Sequence, residues 1–291
     1  MAEFFTFMSA PAAGCIILSV IFTFFGCHVL KREIVFVDLS MAQLAALGAT
    51  VAFIMEIELD TPESLVISVL FVLVGGAFFT WTRSFTHRVP QEAVIGIVYI
   101  VAASAALLLS SFSVHGDEHL KTMLSGSILW ITWKEVIRQF AVSAIVAVLL
   151  VIYHKKIEEQ SLSYRSLRTT GISSFWKWDF LFYVLLGMVI VFFIKTAGIF
   201  TIFTFLIIPA TCAALFVDQL FKQFVVGSIL AIAVSLIGLT LSFYLDLPTG
   251  ATLVCSFGAT FFIALILSKF RFSGQRNVLK RTLMMYQNAK G

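Results

Sequence analysis

The sequence predicts an all-α, polytopic membrane protein with about eight transmembrane helices. Hydrophobic residues make up 60% of its 291 residues and charged residues only 12%, and the mean hydropathy is +1.00. A single soluble core could not bury that much apolar surface. The charges cluster between apolar stretches that approach the roughly 20 residues needed to cross a hydrocarbon layer. We therefore expect residues 1–291 to form one transmembrane domain.

Nine apolar stretches follow one another along the chain, and about eight of them are expected to span the membrane. The stretches are Ala12 to Leu30, Leu39 to Met55, Leu65 to Trp81, Ala93 to Ser111, Val136 to Tyr153, Phe180 to Ile194, Ile199 to Val217, Val225 to Tyr244 and Thr252 to Leu267.

Lysine and arginine alternate with acidic residues from one connection to the next, and positive connections stay in the cytoplasm. This pattern predicts an outer N-terminus and a cytoplasmic C-terminus. The basic connections contain Lys31, Arg32, Arg83, His87, Arg88, Lys155, Lys156, Arg165, Arg168 and Lys222. The opposite connections contain Glu56, Glu58, Asp60, Glu63, Asp117, Glu118, Lys195 and Asp246.

Three connecting segments have a predicted place. Residues 112–133 are too polar at their start to span, so we expect them to lie along the outer interface, with Trp130 and Trp133 in the aromatic belt. Residues 154–178 are predicted to be a cytoplasmic loop that is long enough for a short surface helix. Residues 269–291 are predicted to be a basic cytoplasmic tail.

Residues 209–223 form a further segment of interest. Pro209 is expected to break a transmembrane helix, which resumes as a short helix of mixed polarity at the inner face. Such a helix would be a docking surface, and a plain proline kink is the alternative. The candidate docking residues are Pro209, Leu215, Phe216, Asp218, Leu220 and Lys222.

A polar cluster in the outer segment contains ligand types suited to zinc, manganese or iron. Its members are His115, Asp117, Glu118 and His119, and a helical turn would place both imidazoles on one face. A solvated loop, or an acidic contact for a partner protein, is the alternative explanation.

Two regions resemble the permease family of metal-ion ABC importers. Residues 198–211 and 242–250 are similar to the family patterns LIIPAATAR and YYLDLPPGP, and residues 36–53 align without gaps to LVGDALSHAVLPGVALAF. The resemblance covers almost the whole chain. It implies a permease fold similar to that of the vitamin B12 importer, in the plasma (inner) membrane of a prokaryote.

The resemblance also implies partners. These are cytoplasmic ABC ATPase subunits docked on residues 209–223, an extracytoplasmic substrate-binding protein, a second permease copy and membrane lipid. No nucleic-acid partner is expected. The sequence has no Gly-x-x-x-x-Gly-Lys-Ser/Thr loop, so we expect no cofactor on this chain, no enzymatic activity of its own, and ATP to be used by a partner subunit.

One departure from the family concerns the cation path. The family's helix carries an Asp and a His four residues apart, and here Leu39 and Gln43 take their places. Asp38 is one residue early, which turns it about 100° away from the Gln43 face. Gln43 and Thr50 share a face and are predicted to line a polar path, with interhelical packing as the alternative. Asp38 is a path candidate, but it could also cap the helix or pair with Lys31 or Arg32.

Other function classes stay open at this point. The departure at the chelating pair leaves room for a cargo other than a bare metal ion. A secondary transporter would need midplane charges, which are nearly absent, and a membrane metalloenzyme would need His or Asp clusters inside the spans.

Overall fold

The computed structural model describes residues 2–57, 61–83, 89–112, 123–124, 126, 128–167 and 176–288. All of the regular structure within these ranges is helical, in agreement with the predicted fold class. The helices are α1 (Ala2–Arg32), α2 (Val37–Ile54), α3 (Pro62–Thr82), α4 (Gln91–Ser110), a 3₁₀ turn (Ile128–Trp130), α5 (Trp133–Ile152), α6 (His154–Leu167), α7 (Trp176–Ala197), α8 (Ile199–Ala214), α9 (Leu220–Leu245) and α10 (Thr249–Asn288).

Eight helices of the described ranges are long and apolar enough to cross a membrane. They are α1 to α5, α7, α9 and the first half of α10. The ninth predicted stretch is α8, which has 16 residues and would be about 24 Å long at 1.5 Å per residue. In the described ranges the number of long apolar helices therefore agrees with the prediction of about eight spans, and α8 is a shorter ninth apolar helix.

The helices pack into two connected groups. In the first group α2 lies between α3 and α4, and α7 packs on α2 and α3. In the second group α1 packs on α8 and α9, and α10 packs on both of those helices. Gly48 allows the close approach of α2 to α3, because a Cβ there would lie 2.7 Å from the Ser68 Cα.

The two ends of the bundle differ in composition. At one end, which we call the basic end, α1 and α3 finish, and α6, α7 and α9 begin. Cys27, Ala210 and Leu220 join α1, α8 and α9 there in one buried cluster. At the opposite end Phe7 of α1 packs edge to face on Trp130 and lies 6.0 Å from the ring of Phe243 near the end of α9.

The predicted break at Pro209 is wrong. The α8 helix continues through Pro209 to Ala214, and the chain turns only afterwards, before α9 begins at Leu220. A separate short helix is therefore not formed between Pro209 and Lys222. Proline removes one donor from the helix ladder, but Pro209 is itself buried, and α8 is held on several sides by α1, α9 and α10.

Two other segments take helical form. The predicted short helix within residues 154–178 is α6. The segment from residue 269 onward continues α10 as helix to Asn288. Trp130 and Trp133 at the opposite end are 72% and 53% exposed.

Candidate permeation path and docking surface

The polar residues predicted to line a path all lie on α2 and are all buried. Asp38 is 1% exposed, Gln43 6% and Thr50 0%. The α2 helix is central in its group, with α3, α4 and α7 around it. Its alanine stripe, made up of Ala42, Ala45, Ala46 and Ala49, is also buried, which agrees with the close helix contact expected for it.

Gln43 and Thr50 differ in what their polar groups do. The Thr50 hydroxyl donates to the carbonyl oxygen of Ala46 at 2.9 Å, so its proton is used within its own helix. The Gln43 amide has no hydrogen bond to another group within the described residues. The polar atoms of Gln43 are therefore left to interact with a passing solute, whereas the Thr50 hydroxyl proton is not.

Asp38 does not pair with Arg32. The N-cap residue is Phe36, and no side-chain capping bond is formed. Both Asp38 carboxylate oxygens are buried without a hydrogen-bond partner. The Arg32 guanidinium is bound instead to Asp179. The Arg32-pairing interpretation of Asp38 is therefore wrong. Its carboxylate lies in the first turn of α2, near the backbone N–H groups of Asp38 and Leu39.

A second carboxylate, that of Glu92, contacts the chain just before α2, and sequence reasoning missed it. Glu92 is in the first turn of α4, and its Oε1 accepts a hydrogen bond from the backbone N–H of Val35, just before α2. The other oxygen, Oε2, is buried without a partner. The sequence feature that could have identified Glu92 is an acidic residue directly before an apolar stretch. Acidic residues are common there because they interact favourably with the start of a helix, so the feature does not by itself indicate a site.

An ion network that the sequence did not reveal is buried at the basic end. Arg32 Nη1 lies 2.9 Å from Asp179 Oδ1, with both side chains fully buried, and Arg83 pairs with the other oxygen of Asp179. Gln160 Nε2 donates to Asp179 Oδ1 at 2.5 Å. The Arg32 guanidinium also lies 3.9 Å from the centre of the Phe182 ring. Arg32 is thus a buried partner of Asp179 rather than an exposed loop charge.

The same network fastens α6 to the bundle. Ser161 of α6 accepts a hydrogen bond from Arg32 Nε at 3.0 Å and lies 2.9 Å from His28 Nδ1. Ile157, one turn earlier, is fully buried. Four helices, α1, α3, α6 and α7, are therefore tied together around Asp179.

The candidate docking residues are only partly available. Asp218 and Lys222 are exposed, and Leu215 and Phe216 are half-buried. Pro209 is buried within α8. Leu220 is 8% exposed because it packs on Cys27 and Ala210. The expectation that Leu220 presents an apolar face to a partner is therefore wrong.

Phe221, the next residue, provides the exposed apolar group instead. Its side chain is 70% exposed, beside a small cavity of about 110 Å³. The cavity lies between α1, α6 and the start of α9. Its lining residues are Phe24, Cys27, His28, His154, Glu158, Leu220, Phe221 and Phe224.

The predicted outer metal cluster, His115, Asp117, Glu118 and His119, lies outside the described residues. Among the residues that are described, no group of three or more His, Cys, Asp or Glu side chains is arranged to hold a metal ion.

Comparison with known proteins places the chain among membrane transport proteins. A sequence model described as the ABC 3 transport family matches residues 4–268. A probable iron transport system membrane protein of Haemophilus influenzae is 26% identical over 270 residues, which is 92% of this chain and 96% of that protein. The manganese transport system membrane protein MntC of Listeria monocytogenes is 27% identical over 196 residues, 66% of this chain and 69% of that protein.

Solved structures agree with this fold. The structure of PsaBC from Streptococcus pneumoniae in complex with Fab contains a chain that superposes with a TM-score of 0.72 at 20% identity, over 89% of this chain and 90% of that one. An inward-facing conformation of a putative metal-chelate type ABC transporter gives a TM-score of 0.66 at 15% identity, over 88% of this chain and 85% of that one.

Proposed function

Because the chain belongs to the ABC 3 transport family, we propose that it is the membrane permease subunit of an importer whose cargo is a divalent metal ion, namely zinc, manganese or iron. The family match over residues 4–268 carries this proposal, since it takes in nearly all of the membrane-spanning part of the chain. The relatives described above are iron and manganese transport proteins by name, which supports a metal as the cargo. Membership of this family also argues against a secondary transporter and against a membrane metalloenzyme.

The basic end faces the cytoplasm in this proposal. Lysine and arginine concentrate in cytoplasmic connections, and Lys155, Lys156 and Lys222 lie in exposed positions at that end. Termini on opposite sides of the membrane require an odd number of crossings. The short helix α8 would then be the ninth crossing, with the C-terminus of the chain in the cytoplasm.

The partner ATPase would dock at the start of α9. Phe216 and Phe221 offer apolar surface there, and Asp218 and Lys222 offer charges of both signs. An apolar anchor within a polar rim is the usual anatomy of a protein interface. ATP hydrolysis would take place on that partner.

The remaining partners belong to the other surfaces. An extracytoplasmic binding protein would meet the opposite end of the bundle. Lipid and a second permease copy would cover helices such as α4 and α5, whose apolar side chains are largely exposed. Ile97, Ile100 and Val101 of α4, for example, are each more than 60% exposed.

The path for the cargo would follow α2. Gln43 is buried, and its polar atoms have no protein partner among the described residues. It lies on α2, and the corresponding helix carries the chelating Asp and His in the family that this chain resembles. Buried polar groups within membrane spans commonly mark a solute path. Thr50 shares this face, but its hydroxyl donates to the carbonyl oxygen of Ala46. We therefore expect Thr50 to contribute less than Gln43 to contacts with the cargo.

A cargo other than a bare metal ion is the second candidate. Leu39 and Gln43 offer no charged ligand, and a neutral amide is a weak ligand for zinc or iron. A chelated or otherwise shielded metal would need fewer protein ligands than a bare ion would.

Metal content of cells tests the proposal. A strain that lacks this gene should accumulate less manganese, iron or zinc than its parent in metal-poor medium, and the gene on a plasmid should restore the level. Normal accumulation of all three metals in the deletion strain would refute the assignment. A deficit that appears only when the metal is supplied as a chelate would favour the second candidate.

A further inference from the structure

The small cavity at the basic end is lined by aromatic rings and by hydrogen-bond acceptors. It has a volume of about 110 Å³ and lies between α1, α6 and the start of α9. Three phenylalanine rings line it. Phe24 of α1 packs edge to face on Phe224 of α9, with 5.6 Å between the ring centres, and the ring of Phe221 lies 6.4 Å from that of Phe224. The aromatic part of the lining is therefore shared by two helices.

His28 of α1 offers one ring nitrogen to this cavity. Its side chain is 5% exposed. The Ser161 hydroxyl donates its one proton to the carbonyl oxygen of Ile157 at 2.8 Å and accepts from Arg32 Nε at 3.0 Å. His28 Nδ1, 2.9 Å from Ser161 Oγ, must therefore be the donor in that contact. The other nitrogen, Nε2, has no hydrogen bond within the described residues, and in the neutral ring it carries a lone pair.

The α6 side of the cavity offers acceptors as well. His154 and Glu158 are four residues apart, so they share a face of α6, and both line the cavity. His154 Nδ1 lies 2.7 Å from the carbonyl oxygen of Val151 and must donate to it, which leaves Nε2 of the neutral ring as an acceptor. The Glu158 carboxylate accepts only. Although Lys156 and Lys222 lie at the same end, no lysine or arginine is among the described residues that line the cavity.

These lining groups determine which kind of group would bind. A carboxylate or a phosphate would bring further acceptors and would repel Glu158. Among the described residues, no three His, Cys, Asp or Glu side chains are arranged to hold a metal ion. An arginine guanidinium has five N–H donors and no acceptor, and its planar face stacks on aromatic rings. The volume suits one such group, since a cavity of about 150 Å³ binds a single benzene molecule.

We propose that the cavity between α1, α6 and α9 binds an arginine side chain of the partner ATPase. The inference rests on the proposed function and names the kind of residue that the ATPase contributes to the interface. Leu220 and Phe221 line the cavity and also belong to the start of α9, where the ATPase docks. The buried Arg32 behind His28 does not oppose this, because its charge is balanced by Asp179.

The affinity of the purified ATPase for the permease in lipid nanodiscs tests the proposal. Glu158→Gln removes a carboxylate charge from the lining and should raise the dissociation constant about 5-fold or more. Glu159→Gln is the matched control, because Glu159 is the next residue, is 63% exposed and is not among the described residues that line the cavity. It should bind the ATPase as the wild type does. Both variants should keep the wild-type Tm, since both carboxylates are exposed in the permease alone.

A photo-crosslink identifies the occupant. The photoreactive p-benzoylphenylalanine in place of Phe221, which is 70% exposed, should crosslink to an ATPase peptide that contains an arginine. Changing that arginine to alanine should weaken binding to the wild type, but should add little to the effect of Glu158→Gln, because both changes remove the same contact.

Three results would overturn the proposal. They are an unchanged dissociation constant in Glu158→Gln, a crosslink to residues 269–291 of the permease itself, and a crosslink to a second permease copy. Metal accumulation that still depends on the gene would then leave the proposed function standing.

Discussion

Arg32 at the end of α1 and Asp179 at the start of α7 form an ion pair of 2.9 Å in which both side chains are fully buried. Arg83 joins the same carboxylate from the end of α3, and Gln160 joins it from α6. One acidic side chain thus holds together four helices at the end of the bundle where we place the ATPase.

Asp179→Asn should destabilise the chain strongly. The amide cannot balance Arg32 and Arg83, and removal of one partner of a buried pair costs about 3–5 kcal/mol. Thermal unfolding of the detergent-purified protein measures the loss. Glu159→Gln is the control, because Glu159 is 63% exposed and only 3.7 Å from Lys156 in an exposed pair, so its loss should cost less than about 1 kcal/mol. An unchanged Tm in Asp179→Asn would contradict the description of this network.

Phe221→Asp should weaken the complex with the ATPase without unfolding the membrane domain. The side chain is 70% exposed, so a charge there costs little in the free chain but would be desolvated at an interface. Co-purification of the ATPase with the tagged permease measures the effect. Leu245→Asp, at the other end of the same helix and 56% exposed, should leave the complex intact. Equal recovery of ATPase with both variants would remove the start of α9 from the interface.

Leu220→Asp should behave differently from Phe221→Asp. Leu220 packs on Cys27 and Ala210, so a carboxylate there would be buried without a partner and should lower the yield of folded permease. Size-exclusion chromatography of the permease alone distinguishes the two variants. A well-folded Leu220→Asp permease that loses only the ATPase would restore Leu220 to the docking surface.

Gln43→Ala should reduce metal uptake more than Thr50→Ala does. The Gln43 amide is unpartnered within the described residues, whereas the Thr50 hydroxyl donates to its own helix. Initial uptake rates at equal expression measure the difference. Gln139 provides a contrast, because its amide donates to Thr196 at 2.6 Å, and Gln139→Ala should lower stability instead. Uptake by Gln43→Ala at the wild-type rate would reduce Gln43 to a packing residue.

The orientation is open to a labelling test with a membrane-impermeant thiol reagent on whole cells. A cysteine in place of Glu63 or Asp246 should react from outside, because both side chains are exposed at the opposite end. A cysteine in place of Lys156, which is 60% exposed at the basic end, should react only after permeabilisation. The reverse pattern would invert the proposed topology together with the partner positions.

The apolar stretches were sufficient to predict the membrane helices because span length is set by the bilayer. Pro209 shows where local rules fail. Its ring disfavours a helix interior, yet the packing of α1, α9 and α10 around α8 keeps the helix continuous to Ala214. Propensity is a local property, and here tertiary contacts override it.

The candidate site was predictable only in part. Spacing on α2 identified Asp38, Gln43 and Thr50 as buried candidates, because one helix was sufficient for the argument. The partners of a charge lie on other helices and leave no local pattern. Arg32 therefore looked like a loop charge until the fold placed it beside Asp179. Glu92 looked like an ordinary helix-start residue until the fold placed it against the backbone of Val35.

The central claim is that this chain carries a metal ion across the membrane when an ATPase drives it. The most direct measurement uses the permease co-purified with its ATPase, reconstituted in proteoliposomes with the binding protein, ATP and radioactive Mn²⁺. The account predicts ATP-dependent movement of Mn²⁺ across the membrane that falls in Gln43→Ala and stays normal in Glu63→Gln. An intact, ATP-hydrolysing complex that moves neither Mn²⁺ nor Fe²⁺ nor Zn²⁺ would contradict it.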